Sequence, residues 1–182
     1  MFDSTTHFGL VTRLFHWVTA LTIIGLFILG LYMVELTYYD ALYNKLPFIH
    51  KSIGLLLCGL LFLRLIWKQF NPAPVPLPSH RSFEILGAKL AHWVLYLLTV
   101  VIVISGYLIS TAAGSGISVF DWFSVPATIT TIPEQEDLAG LIHKITAYLV
   151  IGVTLVHAGA ALKHHFVDRD DTLRRMLGIK NQ

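Results

Sequence analysis

Four histidines lie at the ends of strongly apolar segments: His16, His50, His143 and His157. His143 and His157 are fourteen residues apart, close to four helical turns, so in a helix their imidazoles share one face, about 21 Å apart along the axis. A ligating side chain within a bilayer is costly and indicates a functional site. Two ligands on one helix and one on each of two others would bind two haems stacked across a membrane.

The composition favours a membrane protein. The 182 residues are 55% hydrophobic and only 13% charged, whereas soluble domains carry about 25% charged residues. Cys58 is the only cysteine, which excludes an intrachain disulfide, a cysteine-ligated iron–sulfur cluster and a c-type haem linkage. Nothing indicates a nucleic-acid partner or an obligate protein partner.

Four segments are long and apolar enough to span a bilayer, and they predict an all-α, four-helix transmembrane bundle in a single domain, 1–182. The first is a retained span rather than a cleaved signal, because no small-residue cleavage pattern follows it. A proline-rich connector, Asn71 to Pro78, separates the second and third segments and cannot be helical. The predicted spans are 11–34, 47–68, 89–112 and 138–163, with an external loop at 113–137 and a cytoplasmic tail at 167–182.

The distribution of basic residues predicts the orientation. Four spans place both termini on one side, with ten of the thirteen Lys and Arg residues; the other three are Lys45, Lys51 and Lys144. The positive-inside rule then places both termini in the cytoplasm. The tail beyond Asp168 is expected to form a short amphipathic helix on the membrane surface.

Consecutive spans cross the membrane in alternating directions, and this places the histidines at two depths. His16 and His157 fall near the cytoplasmic ends of their helices, and His50 and His143 near the external ends. Each pair predicts one haem iron held by two neutral imidazoles. His92 opens the third span at a depth that rivals His16 or His157, so it is an alternative ligand, or a contact for a haem propionate or a quinone.

Other interpretations stay open at this point. Histidines in membrane helices also serve as hydrogen-bonding groups or as a proton path in a haem-free transporter. The remaining histidines fall at segment ends or in loops, where solvent-facing roles are expected: His7, His80, His164 and His165.

Small and charged residues near the ligands suggest supporting roles. Gly30 shares the face of His16, and Gly54 that of His50, which would make room for a flat macrocycle. Arg13 and Arg64 are candidate contacts for the propionates of the inner haem. Lys51 and Lys144 follow two of the histidines directly, and a positive patch there would guide a small anion to the outer haem.

At these residues the chain resembles the bacterial dihaem cytochrome b561 family, whose members are small four-helix inner-membrane proteins. The likeness is carried by Arg13-Leu-Phe-His-Trp17, Ile49-His-Lys-Ser-Ile-Gly54, His92-Trp-Val-Leu-Tyr-Leu97, Leu141-Ile-His-Lys144, Val156-His-Ala158 and Lys163-His-His-Phe166.

The resemblance implies two b-type haems, ubiquinone as electron acceptor and a bacterial inner-membrane location. It is strongest to a branch that oxidises superoxide on the outside and reduces ubiquinone. By position, His50 and His143 would ligate the outer haem, and His16 and His157 the inner. His92, Trp17 and Arg13 would be candidates for the quinone site. An alternative is a cytochrome b anchor that passes electrons from a partner dehydrogenase or hydrogenase to quinone.

Overall fold

A computed structural model describes residues 2–179 and is mostly helical. Four helices are long and apolar enough to cross a membrane, which confirms the predicted fold class. A short fifth helix and a two-stranded antiparallel hairpin complete the described part of the chain. The elements are α1 (Leu10–Met33), α2 (Lys45–Phe70), α3 (Ser82–Thr111), β1 (Ile117–Val119), β2 (Phe123–Val125), α4 (Gln135–Phe166) and α5 (Thr172–Leu177).

The helices α3 and α4 extend beyond the predicted spans. Helix α3 begins at Ser82, seven residues before the predicted start, because the Glu84 carboxylate accepts a hydrogen bond from the Arg81 amide at 2.9 Å and caps the first turn. Helix α4 has 32 residues and is about 48 Å long, more than the roughly 30 Å of a hydrocarbon core. Hydropathy therefore detected the membrane-crossing part of each helix and missed its polar ends.

Large apolar side chains on the helices remain exposed, whereas several buried positions are small and polar. Leu21, Leu155 and Val156 are 66%, 67% and 73% exposed, as expected for side chains that face lipid. Thr19 and Thr111 are buried, and each donates its hydroxyl proton to the carbonyl four residues earlier. Such residues satisfy their own polar groups and allow close helix packing within a membrane.

The chain divides into two compact units, and α1 to α4 each contribute a segment to both. Unit 1 contains residues 1–20, 60–96 and 152–182, and unit 2 contains residues 21–59 and 97–151. His16, His92 and His157 belong to unit 1, whereas His50 and His143 belong to unit 2. The two members of each predicted pair therefore lie in the same unit.

In unit 2, the hairpin is fastened to α2 by a buried serine. Ser52 is fully buried; its Oγ accepts a hydrogen bond from the Phe120 amide at 3.2 Å and donates one to the Ser118 carbonyl at 3.4 Å. Val119 is also fully buried. The predicted external loop thus contains a hairpin that the sequence did not reveal.

In unit 1, the C-terminal helix contacts α1 and the proline-rich connector. Arg13 Nη1 and Trp17 Nε1 donate to the carbonyls of Leu177 and Met176, and Arg175 Nη1 donates to the Val75 carbonyl. The connector is non-helical, as predicted. The membrane-surface location of the C-terminal helix remains a prediction. The last three residues of the predicted tail, 180–182, lie outside the described residues.

Candidate functional site

In unit 2, the imidazoles of His50 on α2 and His143 on α4 face each other, with ring centres 6.2 Å apart. A histidine nitrogen lies about 2 Å from a bound metal ion, so two rings on opposite sides of one ion have centres about 6 Å apart. The observed separation therefore fits two imidazoles that share one ion.

The orientation of His143 is fixed by α3. Its Nδ1 lies 3.0 Å from the Ile102 carbonyl oxygen and 3.1 Å from Ser105 Oγ. A carbonyl oxygen only accepts, so Nδ1 carries the proton and Nε2 keeps the lone pair that a metal needs. Metal-ligating histidines characteristically donate their other N–H in this way.

A cavity of about 820 Å³ adjoins both histidines, within the range of small-molecule and cofactor sites. Gly54, Gly140 and many apolar side chains line it. His50 Nδ1 is buried and has no hydrogen-bond partner among the described residues. An apolar cavity between two metal-competent imidazoles fits a haem in its size and in its donor set.

Two glycines make room for the imidazoles themselves. A Cβ atom at Gly30 would lie 3.4 Å from His50 Cε1, and one at Gly106 would lie 3.1 Å from His143 Cε1. Gly30, which the sequence placed on the face of His16, packs against His50. Gly106 was not recognised from the sequence, because its partner is distant along the chain.

In unit 1, His157 lies between two other histidines. Its ring centre is 6.2 Å from that of His16 and 5.1 Å from that of His92. The first distance equals that of the His50–His143 pair, whereas the second is shorter than two imidazoles on opposite sides of one ion require. The geometry favours His16 over His92 as the partner of His157.

Both arginines that were candidates for propionate contacts have protein contacts. Arg13 donates to the Leu177 carbonyl through Nη1, and its buried Nε has no hydrogen-bond partner among the described residues. The guanidinium of Arg64 lies 5.3 Å from the centre of the Tyr96 ring, and the ammonium group of Lys68 lies 5.2 Å from it. A propionate role for either arginine remains a prediction.

The lysines that follow His50 and His143 line the cavity, but two acidic residues accompany them. Lys51 and Lys144 are exposed and form no ion pair with any described residue. Glu35 and Glu136 line the same cavity. The prediction from the sequence included only the basic residues, so it did not include the negative charges of Glu35 and Glu136.

The expectation of solvent-facing histidines is correct for His7 and wrong for His80 and His164. The side chains of His80 and His164 are only 16% and 12% exposed, and both contact the Asp170 carboxylate. Their partner lies beyond the end of α4, and hydropathy gives no signal for such a contact.

Comparison with known proteins identifies the family of the chain. A family model for prokaryotic cytochrome b561 matches residues 7–178. "Cytochrome b561 homolog 2" of Escherichia coli (strain K12) is 50% identical over 176 residues, which cover 97% of this chain and 94% of the relative.

Two further relatives are more distant. "Cytochrome b561 homolog 1" of the same organism is 31% identical over 70% of this chain and 72% of its own. "Probable superoxide oxidase CybB" of Yersinia pestis is 32% identical over 72% of this chain and 74% of its own. The chain therefore belongs to the prokaryotic cytochrome b561 family of membrane electron-transfer proteins that bind haem b.

Proposed function

We propose that this protein is a dihaem cytochrome b of the bacterial inner membrane that oxidises superoxide at the outer face and reduces ubiquinone. Both termini lie in the cytoplasm in this proposal. The observation that carries it is the unit 2 cavity, where two facing imidazoles occur together with two lysines that form no ion pair with any described residue. The name of the Yersinia pestis relative supports the same activity.

The ligands in the proposal are His50 and His143 in unit 2, and His16 and His157 in unit 1. Once bound, haem b supplies one-electron redox chemistry at its iron. The Ile102 carbonyl holds the proton of His143 on Nδ1 and so presents Nε2 as the ligand atom. Apolar side chains around the unit 2 cavity exclude water from the cofactor.

The chain's charges act on the approach of the substrate. Superoxide is a small anion, and unpaired lysines beside the cavity raise its local concentration, whereas Glu35 and Glu136 lower it. In the overall reaction, two superoxide anions each lose one electron and leave as dioxygen. One ubiquinone takes up those two electrons and two protons to become ubiquinol.

The proposed quinone site lies in unit 1, near His92. This side chain is exposed, and its 5.1 Å separation from His157 does not match two imidazoles on opposite sides of one ion. An exposed imidazole provides the polar contact that a quinone carbonyl needs in an otherwise apolar site.

The ligand assignment is tested by haem stoichiometry. We expect His16→Ala, His50→Ala, His143→Ala and His157→Ala each to lose one of two haems per chain, because each removes an axial ligand. His92→Ala should retain both haems and raise the KM for ubiquinone. The measurement is a reduced-minus-oxidised visible spectrum with haem quantified per chain. Two haems in His16→Ala and one in His92→Ala would reverse the assignment in unit 1.

The substrate is tested with variants that each remove one charge, mixed with superoxide in a stopped-flow instrument. We expect Lys51→Gln to slow haem reduction several-fold at low ionic strength and Glu136→Gln to accelerate it, with both effects fading as salt increases. Lys45→Gln is the matched control, because this exposed first residue of α2 is outside the cavity lining.

Equal rates in all three variants would contradict anion guidance by these residues. A native protein that does not react with superoxide but copurifies with an iron–sulfur subunit would be the anchor of a dehydrogenase or hydrogenase instead. A haem protein that reduces ferric or copper chelates and not superoxide would be a metal reductase.

A further inference from the structure

We propose that unit 1 contains a second metal site, separate from the haem ligands, that binds a divalent cation of the zinc class through His80, His164 and Asp170. His80 lies between the proline-rich connector and α3, His164 in the last turn of α4, and Asp170 in the segment before α5. An ion there would join three segments of the unit. The site is independent of the proposed superoxide activity.

The three donor atoms already lie at distances close to those in a metal site. His80 Nε2 and His164 Nδ1 are each 3.1 Å from the same oxygen, Asp170 Oδ2. All three atoms lie within 4.8 Å of one another. A tetrahedral ion with bonds of about 2.0–2.1 Å separates its ligand atoms by about 3.3 Å, so only small side-chain movements would be needed.

The carboxylate is buried and held in place by the segment that follows it. The Asp170 side chain is 8% exposed. The Thr172 amide donates a hydrogen bond to Asp170 Oδ1 at 2.9 Å. Thr172 Oγ1 also lies 3.0 Å from His80 Nε2. A carboxylate beside two imidazoles is a typical zinc ligand set.

Lys163 pairs with two other carboxylates of the cluster. Its Nζ lies 2.8 Å from Glu84 Oε1 and 2.7 Å from Asp168 Oδ2. Because Lys163 engages both Glu84 and Asp168, Asp170 is the carboxylate best able to bind the ion.

His164 contacts two carboxylates of the cluster. Its buried Nδ1 lies 2.8 Å from Asp168 Oδ2 and 3.1 Å from Asp170 Oδ2. At these distances a protonated imidazole forms ion pairs, and a bound cation would take the place of that proton. Zinc binding is therefore expected to release a proton from this nitrogen.

The test is zinc binding by the haem-loaded, detergent-solubilised full chain, purified without a polyhistidine tag and stripped of free metal. We expect calorimetric titration with Zn²⁺ to show one site per chain, and His80→Gln and Asp170→Asn each to weaken it by more than about tenfold. Zn²⁺ should also raise the melting temperature of the native chain and not that of either variant.

His7→Gln is the matched control, because it removes one exposed imidazole and should leave zinc binding unchanged. A haem content equal to that of the native chain verifies that each variant is folded. If His80→Gln or Asp170→Asn is not folded, His164→Gln takes its place. Absence of zinc binding at micromolar concentrations, or equal binding by the native chain and by both site variants, would overturn the proposal and leave a hydrogen-bond and ion-pair cluster.

Discussion

At the scale of single residues, the unit 2 site depends on contacts that set the angle and tautomer of the His143 imidazole. Ile102, Ser105 and Gly106 lie on one face of α3, at the i, i+3, i+4 spacing of helical neighbours. The first two residues approach His143 Nδ1 through oxygen atoms, and the third leaves space for the ring. Three residues of α3 thus determine how one proposed ligand is presented.

Gly106→Ala should disturb this arrangement. The new Cβ would lie 3.1 Å from His143 Cε1 and 3.3 Å from Nδ1, so the ring must shift and its hydrogen bond to Ile102 must weaken. We expect the substitution to disfavour haem binding in unit 2 by about 1–3 kcal/mol, a value typical of overpacking. The measurements are the haem occupancy of unit 2, which should fall, and the haem potential in a redox titration, which should change.

Gly59→Ala is the control for Gly106→Ala, because nothing lies within 4 Å of its added Cβ. That substitution should leave both haem occupancy and potential unchanged. An equal response in the two variants would mean that helix propensity, rather than contact with His143, causes the effect.

At the scale of elements, the β1–β2 hairpin packs against the α2 segment that carries His50. Ser52, two residues after His50, satisfies the Phe120 amide. Phe48 and Phe120 form an edge-on ring contact with centres 6.1 Å apart. Ile117, at the start of β1, lines the cavity. The hairpin is therefore part of the cavity wall and not a free loop.

Ser52→Ala should loosen the hairpin. The substitution leaves the Phe120 amide without its partner, and an unsatisfied buried donor costs about 1–3 kcal/mol. We expect faster amide hydrogen exchange across residues 117–125 and weaker haem retention in unit 2.

Ser118→Ala is the control for this variant, because it removes an exposed hydrogen bond to Asp121 within the hairpin. Amide hydrogen exchange across residues 117–125 should change little in Ser118→Ala. Equal exchange in the native chain and in Ser52→Ala would show that Ser52 does not hold the hairpin.

At the scale of the whole molecule, orientation in the membrane determines which substrate reaches which site. Four crossings place the α3–α4 connection opposite both termini, and the basic residues favour cytoplasmic termini. In a Cys58→Ser background, Trp122→Cys should react with a membrane-impermeant thiol reagent in intact cells. His7→Cys should react only after the cells are permeabilised. Both native side chains are exposed, and the opposite labelling pattern would reverse the orientation.

The sequence alone determined the four crossing helices, the non-helical connector and the candidate ligands. These features depend on apolar length, proline chemistry and helical periodicity, all of which are local properties of the chain. The depth of each histidine follows from its position along its own span. For that reason, the sequence could pair His50 with His143 and His16 with His157 before any contact was known.

Only the tertiary structure decided which groups surround those ligands. The rotation of each helix about its axis is set by packing with segments distant in the chain. The contact of His143 with Ile102 and that of His80 with Asp170 span 41 and 90 residues. Helical periodicity carries no information about such pairs, so the tautomer of His143, the separation of His92 from His157 and the His80–His164–Asp170 cluster emerged only from the folded chain.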